Sequence, residues 1–576
     1  MLSEGHARPE VIRTCLVLAV VLAAALLRFV GLDWDGTLGA HPDERYLVGV
    51  AEALRWPDVV NPLAVDASFP YGHLPVYALA LARGVARNID PLLVGRGLAA
   101  LLDLGTVLLT YRLGQRVFGA GPGLFAAAMV ALAPLHVQQA HFCTADVGLV
   151  FFTTGTLLAA ARLADSGQAR DALLAGASAG FALGSKANAV FLLLPLGAAC
   201  ILDPAGSGVR WRHGSLCGLA LLACFVLCSP FAVVDLPTFA EALAQQAAIA
   251  RGALDVPYTR QFHGTMPYVY PVLQQLRWGL GLLPGLVAFG GLAWRVGRAV
   301  QRPPGPGEWV LLAWAVPVLA FFGGLYAKYP RYVLPVIPTL AICGAAVLSP
   351  RERPGGLFGG RLALRCRGCP QYALASIIVG CLLTRTGALV SMLTKPHPWA
   401  VASAYLEAKM PPGATVVVEA WDQPLVPDSA GKIYVLPLTD EESAEKWERI
   451  SAAVAEADYL VVASRRGYGA LARWPERYPE TARYYRLLFE GALGLDPVAC
   501  FGRVPRVGAL LAYGDDPTAG LDFRLPEACA EKATVRMDWG RLDESFVVYD
   551  HPRAIIFRRV GPPISALEVR ALIVGE

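Results

Sequence analysis

The sequence predicts an α-helical membrane protein with many spans, followed by an α/β domain outside the membrane. Hydrophobic residues make up 55% of the 576 residues, and the mean hydropathy is +0.46. This composition is typical of membrane proteins. Apolar runs close to the roughly 20 residues that cross a bilayer as a helix recur up to Leu393. From Pro396 onward the sequence has the character of a globular domain.

Eleven segments are predicted to span the membrane. The first lacks a small-residue cleavage site, so we expect it to remain as a span rather than be removed as a signal peptide. Several others are shorter than a full span, and the region 172–202 could form a tight hairpin around Ser185 and Lys186. The predicted spans are residues 16–32, 97–111, 122–137, 147–161, 172–183, 190–202, 216–233, 271–293, 309–325, 332–348 and 372–393.

The arginines orient these spans. Cytoplasmic loops are enriched in Lys and Arg, and every arginine-rich loop falls on the same side as the N-terminal tail. An odd number of spans then places the C-terminal domain outside the cytoplasm, as expected of an integral protein of a bacterial plasma membrane. The orienting residues are Arg112, Arg116, Arg162, Arg170, Arg210, Arg212, Arg295, Arg298, Arg302, Arg351, Arg353, Arg361, Arg365 and Arg367.

Composition argues against several function classes. The net charge is only +4, and no Lys/Arg tract is interleaved with aromatics, so nucleic acid is not expected as a partner. The 12 cysteines lie mostly in apolar segments, where they are typical packing residues. Cys366 and Cys369 form a lone CxxC pair, which is a weak metal signal. Cys500 and Cys529 are the only cysteines after the last predicted span, and we expect them to form a disulfide.

Ionisable residues gather on the face opposite the arginine-rich loops. A transporter is expected to carry such groups near the bilayer midplane, on broken helices related by an internal repeat, and the sequence shows no such repeat. The pattern indicates chemistry at the outer membrane boundary. The residues are His41, Asp43, Glu44, Arg45, His73, Arg96, His141, Asp146, Lys186, Asp235, His263, Lys328 and Arg331.

The first outer loop, residues 33–96, contains HPDERYLVGVAEALRW, whose apolar residues recur at helical spacing. Asp43 and Glu44 lie at the start of this predicted interfacial helix. They could act as helix caps, or Asp43 could accept a proton from an attacking hydroxyl. A phosphate leaving group would need cations. Lys328 and Arg331, in YAKYPRYVLPVIP, could supply them or could simply extend to the membrane interface.

Seven motifs support a family resemblance. In chain order they are HPDERY, YGHLPVYALALA, GRGLAALLDLGTVLLTYRLGQRVFG, HFCTADVGLVFF, LGSKANAVFLLLP, SPFAVVDLPTF and KYPRYVLPVIPTLAI. On these membrane faces, the sequence over residues 16–348 resembles the GT-C membrane glycosyltransferases related to protein O-mannosyltransferases and lipid A aminoarabinose transferases. The resemblance implies a GT-C fold and inverting transfer of a monosaccharide from a polyprenyl-phosphate carrier.

The resemblance also implies roles for individual residues. Asp43 matches the catalytic acid of the first outer loop, and Glu44 matches the neighbour that positions the acceptor. Donor-phosphate or substrate contacts are expected from Lys328, Arg331, Tyr332, Lys186, His73 and Arg45, with support from His41, His141 and Asp146.

One departure from the family concerns a metal site. The aminoarabinose transferases carry a second acid just before the proline segment, where this sequence reads FPYGH at residues 69–73. We therefore predict no obligatory cofactor, and the sequence gives no support for a divalent metal.

The exterior domain, residues 396–576, alternates helix and strand patterns. AVASAYLEAKM and ESAEKWERISAAVAEA predict helices, and PPGATVVVEAW and DYLVVAS predict buried strands. SFVVYD and RAIIFRRV flank an HP turn and predict a hairpin. This domain could select the acceptor, cover the active cleft or serve only as structure.

The predicted function is transfer of a mannose-type hexose or a pentose to a hydroxyl of a protein, a lipid or a cell-envelope glycan, with membrane lipids as further partners. Two alternatives stay open. The first is a flippase or transporter of lipid-linked sugars. The second is a non-catalytic envelope scaffold, whose function would survive mutation of Asp43.

Overall fold

A computed structural model describes residues 4–348, 369–422, 425–530, 533–538 and 540–575. The chain divides into two compact units. The first, a helical unit, comprises Met1–Leu32, His41–Arg251 and Met266–Gly387. The second comprises Asp33–Ala40, Gly252–Thr265 and Ala388–Glu576. The predicted cytoplasmic residues Arg351, Arg353, Arg361, Arg365 and Arg367, together with Cys366, lie outside the described residues.

The helical unit is built from α-helices joined by short turns and 3₁₀ segments. Its last helix, α18, runs across the boundary between the units at Gly387. The helices are α1 Glu4–Phe29, α2 Pro42–Ala53, α3 Pro62–Val65, α4 Leu74–Val85, α5 Pro91–Phe118, α6 Ala120–Ala131, α7 Pro134–Ala140, α8 Ala145–Ser166, α9 Ala169–Ser185, α10 Leu193–Leu202, α11 Ser207–Cys228, α12 Phe231–Val234, α13 Leu236–Arg251, α14 Val269–Gln274, α15 Leu282–Gln301, α16 Pro306–Gly323, α17 Ile337–Val347 and α18 Cys369–Leu393.

Seven helices in the described part of the chain are long and apolar enough to cross a membrane. An eighth span is added if α6 and α7, which meet at a bend of 58°, are counted as one. All eleven predicted segments coincide with helical structure, but three of them do not meet this criterion. Two are short, α9 and the stretch 187–202, and the third is interrupted before α15, whose last turns carry Arg295 and Arg298. The membrane class is confirmed, and the predicted count of eleven exceeds the number of full-length apolar helices.

Small residues let α9, whose last residue directly precedes Lys186, pack closely against α11. A Cβ at Gly176 would overlap the backbone carbonyl of Cys217, and a Cβ at Gly180 would overlap that of Leu221. Close approach at glycines four residues apart is a common helix contact within membranes.

The predicted interfacial helix is present as α2. His41 caps it, with its ring Nδ1 accepting a hydrogen bond from the backbone N–H of Asp43 at 3.2 Å. Leu47, Val50 and Ala51 are buried in an apolar cluster shared with residues of α4 and α5. Because one face of α2 is fixed in this way, its first turn has a defined direction.

The second unit is an α/β domain with a five-stranded sheet of order β2-β1-β3-β8-β4. Strand β1 is parallel to β2 and β3, and β8 is antiparallel to β3 and β4. A second sheet has three strands in the order β5-β6-β7, and in the sequence these strands come between β4 and β8. The strands are β1 Thr415–Glu419, β2 Lys432–Leu436, β3 Tyr459–Val462, β4 Leu495–Phe501, β5 Arg506–Val507, β6 Leu511–Gly514, β7 Val535–Asp538 and β8 Ala554–Arg559, and the helices are α19 Pro398–Lys409, α20 Ala444–Glu456, α21 Arg466–Ala470, α22 Pro479–Phe489 and α23 Ala566–Val574.

This domain confirms most of the predicted pattern. The helices predicted for AVASAYLEAKM and ESAEKWERISAAVAEA are α19 and α20, and the two predicted strands are β1 and β3. Cys500 and Cys529 form the expected disulfide. The predicted hairpin is wrong, because SFVVYD begins in a 3₁₀ turn, Glu544–Phe546, and only RAIIFRRV forms a strand. The Asp543 carboxylate accepts bonds from the backbone and hydroxyl of Ser545, and these local bonds favour a turn over a strand.

The α9 contact generates a first prediction. Changing Gly176 to Leu should force α9 away from α11, because the new side chain meets backbone atoms that cannot rotate aside. We expect a loss of about 1–3 kcal/mol or more in the free energy of unfolding, the typical cost of overpacking. Thermal unfolding of the purified protein in detergent measures it. Gly218→Leu, on α11, is the matched control because a Cβ there meets nothing within 4 Å, and equal destabilisation by both changes would contradict the packing account.

Candidate functional site

Asp43 and Arg331 form an ion pair in the helical unit. The Arg331 guanidinium donates to the Asp43 carboxylate at 2.5 Å across 288 residues of sequence. Asp43 lies in the first turn of α2, and Arg331 lies in the 3₁₀ turn Pro330–Tyr332 that precedes α17. The two side chains keep 23% and 17% of their surface accessible. The pair is therefore mostly sheltered from water yet still reachable by a ligand.

A second ion pair joins Lys186 and Asp146. The Lys186 Nζ donates to the Asp146 carboxylate at 2.7 Å. Asp146 is in the first turn of α8, and Lys186 follows the last residue of α9. The Lys186 Nζ also lies 5.7 Å from the ring centre of Tyr71 and 5.9 Å from that of Tyr332. These distances place the ammonium within cation–π range of both rings.

The cations of the two ion pairs, Arg331 and Lys186, both lower the pKa of the Asp43 carboxylate. The two pairs therefore form one charged cluster. Burial alone would raise the pKa of Asp43, but electrostatic interactions with Arg331, His41 and Lys186 outweigh burial and hold that pKa below its ordinary value. The Tyr71 hydroxyl behaves in the opposite way. Burial, reinforced by the negative charge of Asp43, raises the pKa of Tyr71 well above 10. At neutral pH the cluster therefore presents an ionised carboxylate beside a neutral phenol.

Glu44 makes different contacts from its neighbour Asp43. Its carboxylate is fully buried and accepts two bonds from Arg96, at 2.9 and 2.8 Å, and one from the backbone N–H of Cys143 at 2.8 Å. Arg96 also donates to the carbonyl of Leu32 at 2.9 Å. These bonds tie α2 to α5 and to the turn before α8.

His73 is not joined to this cluster by a hydrogen bond among the described residues. Its ring is fully buried between aromatic residues, and within the described chain neither ring nitrogen has a hydrogen-bond partner. Burial lowers the pKa of His73 to about 4, so the ring is neutral at pH 7. The surrounding rings, with centres between 5.9 and 6.3 Å from that of His73, are Phe69, Tyr77, Phe231 and Phe239.

The remaining predicted residues have varied surroundings. Lys328 is buried, donates to the carbonyl of Tyr326 at 2.9 Å, and has its pKa lowered by burial. Tyr332 packs against Phe322 as well as facing Lys186, whereas the Arg45 side chain is exposed.

His141 is buried between two backbone carbonyls. Its ring nitrogens contact the carbonyl oxygens of Val137 at 2.7 Å and Val30 at 3.0 Å. These contacts join the end of α7 to the residue after α1, which is a supporting arrangement.

Sequence reasoning missed a buried charged network in the spans. Arg28 donates to the Asp103 carboxylate at 2.7 Å and to the carbonyl of Ala131 at 2.9 Å, and His136 contacts the other Asp103 oxygen at 2.7 Å. Ala131 ends α6, so the network satisfies a carbonyl at the bend between α6 and α7. The sequence did contain a signal for this network, because Arg28 and Asp103 are charged residues inside two different predicted spans. Charges within a membrane are costly unless they are paired, so the two could have been predicted to interact.

Within the described residues, no group of three or more His, Cys, Asp or Glu side chains is arranged to hold a metal ion. The absence of an obligatory metal stays a prediction.

Comparison with known proteins places the chain in a structural class. Residues 74–233 match the family model described as dolichyl-phosphate-mannose-protein mannosyltransferase. The match includes Asp146 and Lys186 but ends before Arg331 and begins after Asp43. A search of curated proteins found no match.

Several solved structures are similar. The apo oligosaccharyltransferase of Archaeoglobus fulgidus is 15% identical, with a TM-score of 0.51 over 82% of this chain and 72% of that one. ArnT from Cupriavidus metallidurans bound to undecaprenyl phosphate is 18% identical, with a TM-score of 0.49 over 84% of this chain and 96% of that one. The first of these structures shows the GT-C fold, and with the family match it confirms the predicted resemblance to GT-C membrane glycosyltransferases.

The contacts of Glu44 generate a second prediction. Glu44→Gln leaves the buried Arg96 charge without its carboxylate, and breaking a buried pair typically costs about 3–5 kcal/mol. We expect a loss of that size in the free energy of unfolding, measured by denaturant titration in detergent. Glu52→Gln, on the same helix, is the control because Glu52 pairs with Arg83 while 48% exposed, and exposed pairs contribute about 0–1 kcal/mol. Indistinguishable losses in the two variants would contradict the anchoring role.

Proposed function

We propose that this protein is an inverting glycosyltransferase that moves a monosaccharide from a polyprenyl-phosphate carrier to an acceptor hydroxyl at the outer face of the membrane. The observation that carries the proposal is the pairing of Asp43 with Arg331, with Lys186 beside them. The pairing brings a proton acceptor and phosphate-binding cations into one accessible cluster.

Asp43 is the proposed general base. An acceptor hydroxyl attacks the anomeric carbon from the face opposite the phosphate and passes its proton to the Asp43 carboxylate. The bond between that carbon and the phosphate oxygen breaks, and its electron pair leaves with the phosphate. A lowered pKa keeps Asp43 ionised, and therefore able to accept the proton, when the anionic donor arrives.

Arg331 and Lys186 are the proposed phosphate ligands. The leaving phosphate gains a negative charge as the bond breaks, so cations already in place stabilise the transition state more than the ground state. Arg331 suits this role because its planar guanidinium can bind two phosphate oxygens at once. The rings of Tyr71 and Tyr332 confine the Lys186 ammonium, and Lys328 adds a third cation three residues before Arg331.

Glu44 is proposed to position Asp43 rather than to hold the acceptor directly. Both of its carboxylate oxygens already accept bonds, from Arg96 and from the Cys143 N–H, within a fully buried site. This assignment revises the role that the family resemblance implied for Glu44.

The proposed donor is a polyprenyl phosphate that carries a mannose-type hexose, and a pentose is the alternative sugar. The description of the matched family, a dolichyl-phosphate-mannose-dependent transferase, supports the hexose. The acceptor is a hydroxyl of a protein, a lipid or an envelope glycan.

The proposed orientation has the N-terminus in the cytoplasm and residues 396–576 outside it, in a bacterial plasma membrane. The loop arginines support this orientation, as does the disulfide between Cys500 and Cys529, since disulfides persist in oxidising compartments.

The third prediction tests catalysis by Asp43. Asp43→Asn removes the proton acceptor with little change in shape, and we expect the rate of transfer to fall by about 10²–10⁴. The assay uses purified protein in liposomes, labelled polyprenyl-phosphate mannose or pentose donors, and envelope extracts as acceptors. Asp58→Asn, at an exposed aspartate of the same outer loop, is the control and should retain wild-type rates.

Undiminished transfer by a folded Asp43→Asn variant would refute the base assignment. If wild type transferred no sugar but moved labelled donor across the bilayer, the flippase alternative would replace the enzyme. If the wild type showed neither activity, the non-catalytic scaffold would replace the enzyme as the favoured function.

The fourth prediction concerns pH. In the wild type, kcat/KM should fall on the acid side of its pH profile, which we call the acid limb, only below the pH range in which an ordinary aspartate becomes protonated. The reason is that the Asp43 carboxylate loses function only as pH falls through its pKa in the folded protein, and that pKa is low. Arg331→Gln removes the strongest opposing cation, so burial should then raise the pKa of Asp43 and move the limb to higher pH. Residual kcat/KM measured against pH shows the shift. Lys328→Gln should slow transfer without moving the limb, and an unmoved limb in Arg331→Gln would contradict the coupling.

A further inference from the structure

A basic pocket lies in the second unit where the chain leaves the last apolar helix. It has a volume of about 210 Å³, and its lining includes the cations Lys395, Arg503 and Arg506, with Ser391, Met392 and Val504. We call these six residues the basic pocket. It lies in the second unit, whereas the Asp43 cluster belongs to the helical unit.

The residues that line the pocket carry a net positive charge. No carboxylate lines it, and within the described residues neither Lys395 nor Arg503 has a salt bridge to an acid. Burial lowers the pKa of the Arg503 guanidinium, and no acid offsets that effect. Gathering like charges in a partly buried site is unfavourable, so the pocket would gain stability from a bound anion.

The backbone that carries the two arginines of the pocket is held by a disulfide and a hydrogen bond. Arg503 lies on the connection from β4 to β5, and Arg506 is the first residue of β5. The disulfide of Cys500 ties the end of β4 to Cys529. The carbonyl of Pro505, between the two arginines, accepts a hydrogen bond from Tyr513 in β6 at 2.9 Å. The two arginines are thus held on fixed backbone, which lowers the entropy lost when they bind a ligand.

The position of the pocket indicates the source of the anion. Ser391 and Met392 are in the last turn of α18, an apolar helix that meets the membrane-span criterion, and Lys395 comes two residues after it ends. A residue at that point lies at the level of the lipid headgroups, where Lys and Arg attract anionic phosphates. The buried apolar side chains of Met392 and Val504 can contact the glycerol end of a lipid.

We propose that the basic pocket binds the phosphate group of an anionic membrane phospholipid. Arg503, Arg506 and Lys395 donate charge-assisted hydrogen bonds to the phosphate oxygens, while the acyl chains stay in the bilayer beside α18. The bound lipid holds the second unit at the membrane surface. This inference rests on α18 crossing the membrane and does not depend on the proposed transferase activity.

The fifth prediction tests lipid binding with the full chain in detergent. Dioctanoyl phosphatidylglycerol is the probe, dioctanoyl phosphatidylcholine is the zwitterionic comparison, inorganic phosphate is the soluble comparison, and native mass spectrometry counts the bound molecules. The double change Lys395→Gln with Arg503→Gln should weaken phosphatidylglycerol binding by about tenfold or more, since each basic residue near an anionic surface contributes substantially. Binding to wild type should also weaken as salt is raised.

The matched control is Lys432→Gln with Arg486→Gln, two basic residues of the same unit whose partners are Glu456 and Asp522. It should leave lipid binding at the wild-type level. Equal binding by the pocket variant and the control would overturn the proposal, as would equal affinity for phosphatidylcholine. Inorganic phosphate competing as well as the lipid would overturn the lipid assignment. If the double variant fails to fold, the single change Lys395→Glu, at an exposed position, takes its place and should weaken binding in the same direction.

Discussion

Glu44 and Arg96 form a fully buried ion pair that fixes the direction of α2, and the geometry of the charged cluster follows from it. Two charges removed from water cost several kcal/mol each unless their hydrogen bonds are satisfied. Here the guanidinium spans both carboxylate oxygens and the Cys143 N–H completes the set. Because α2 is held at Glu44, the preceding residue, Asp43, projects from the same first turn toward Arg331. A helix of only 12 residues could not hold that direction by its own propensity.

The other side of the cluster depends on helices placed by close packing. Gly176 and Gly180 bring α9 against α11, and α9 ends directly before Lys186. The Arg28–Asp103–His136 network holds the bend between α6 and α7, which leads through His141 to α8 and Asp146. The glycines allow close contact between helices, and the Arg28–Asp103–His136 network satisfies polar groups inside an apolar region, where an unsatisfied group is costly. The stability of the helical unit and the placement of the charged cluster therefore depend on the same contacts.

The sequence alone could predict much of this arrangement because hydrophobic periodicity and charge placement are local signals. The apolar segments and α2 follow from such signals, and so does the prediction that Asp43, Arg331, Lys186 and Asp146 share one membrane face. The partners within ion pairs could not be predicted in this way. Glu44 pairs with Arg96, and Arg28 pairs with Asp103, only because tertiary packing brings distant helices together. Tyr71 was missed for the same reason, and His73 could not be separated from a ligand-binding histidine without its aromatic surroundings. SFVVYD has apolar residues typical of a strand, but the local bonds of Asp543 favour a turn.

The anomeric configuration of the transferred sugar tests the central claim most directly. If Asp43 accepts the proton of the acceptor while the phosphate leaves from the opposite face, transfer is a single displacement. Nuclear magnetic resonance of the product made by the reconstituted wild-type protein from a donor of known configuration should then show inversion at the anomeric carbon. Retention of configuration would contradict the account, because it requires two displacements and a nucleophile on the protein in place of a general base.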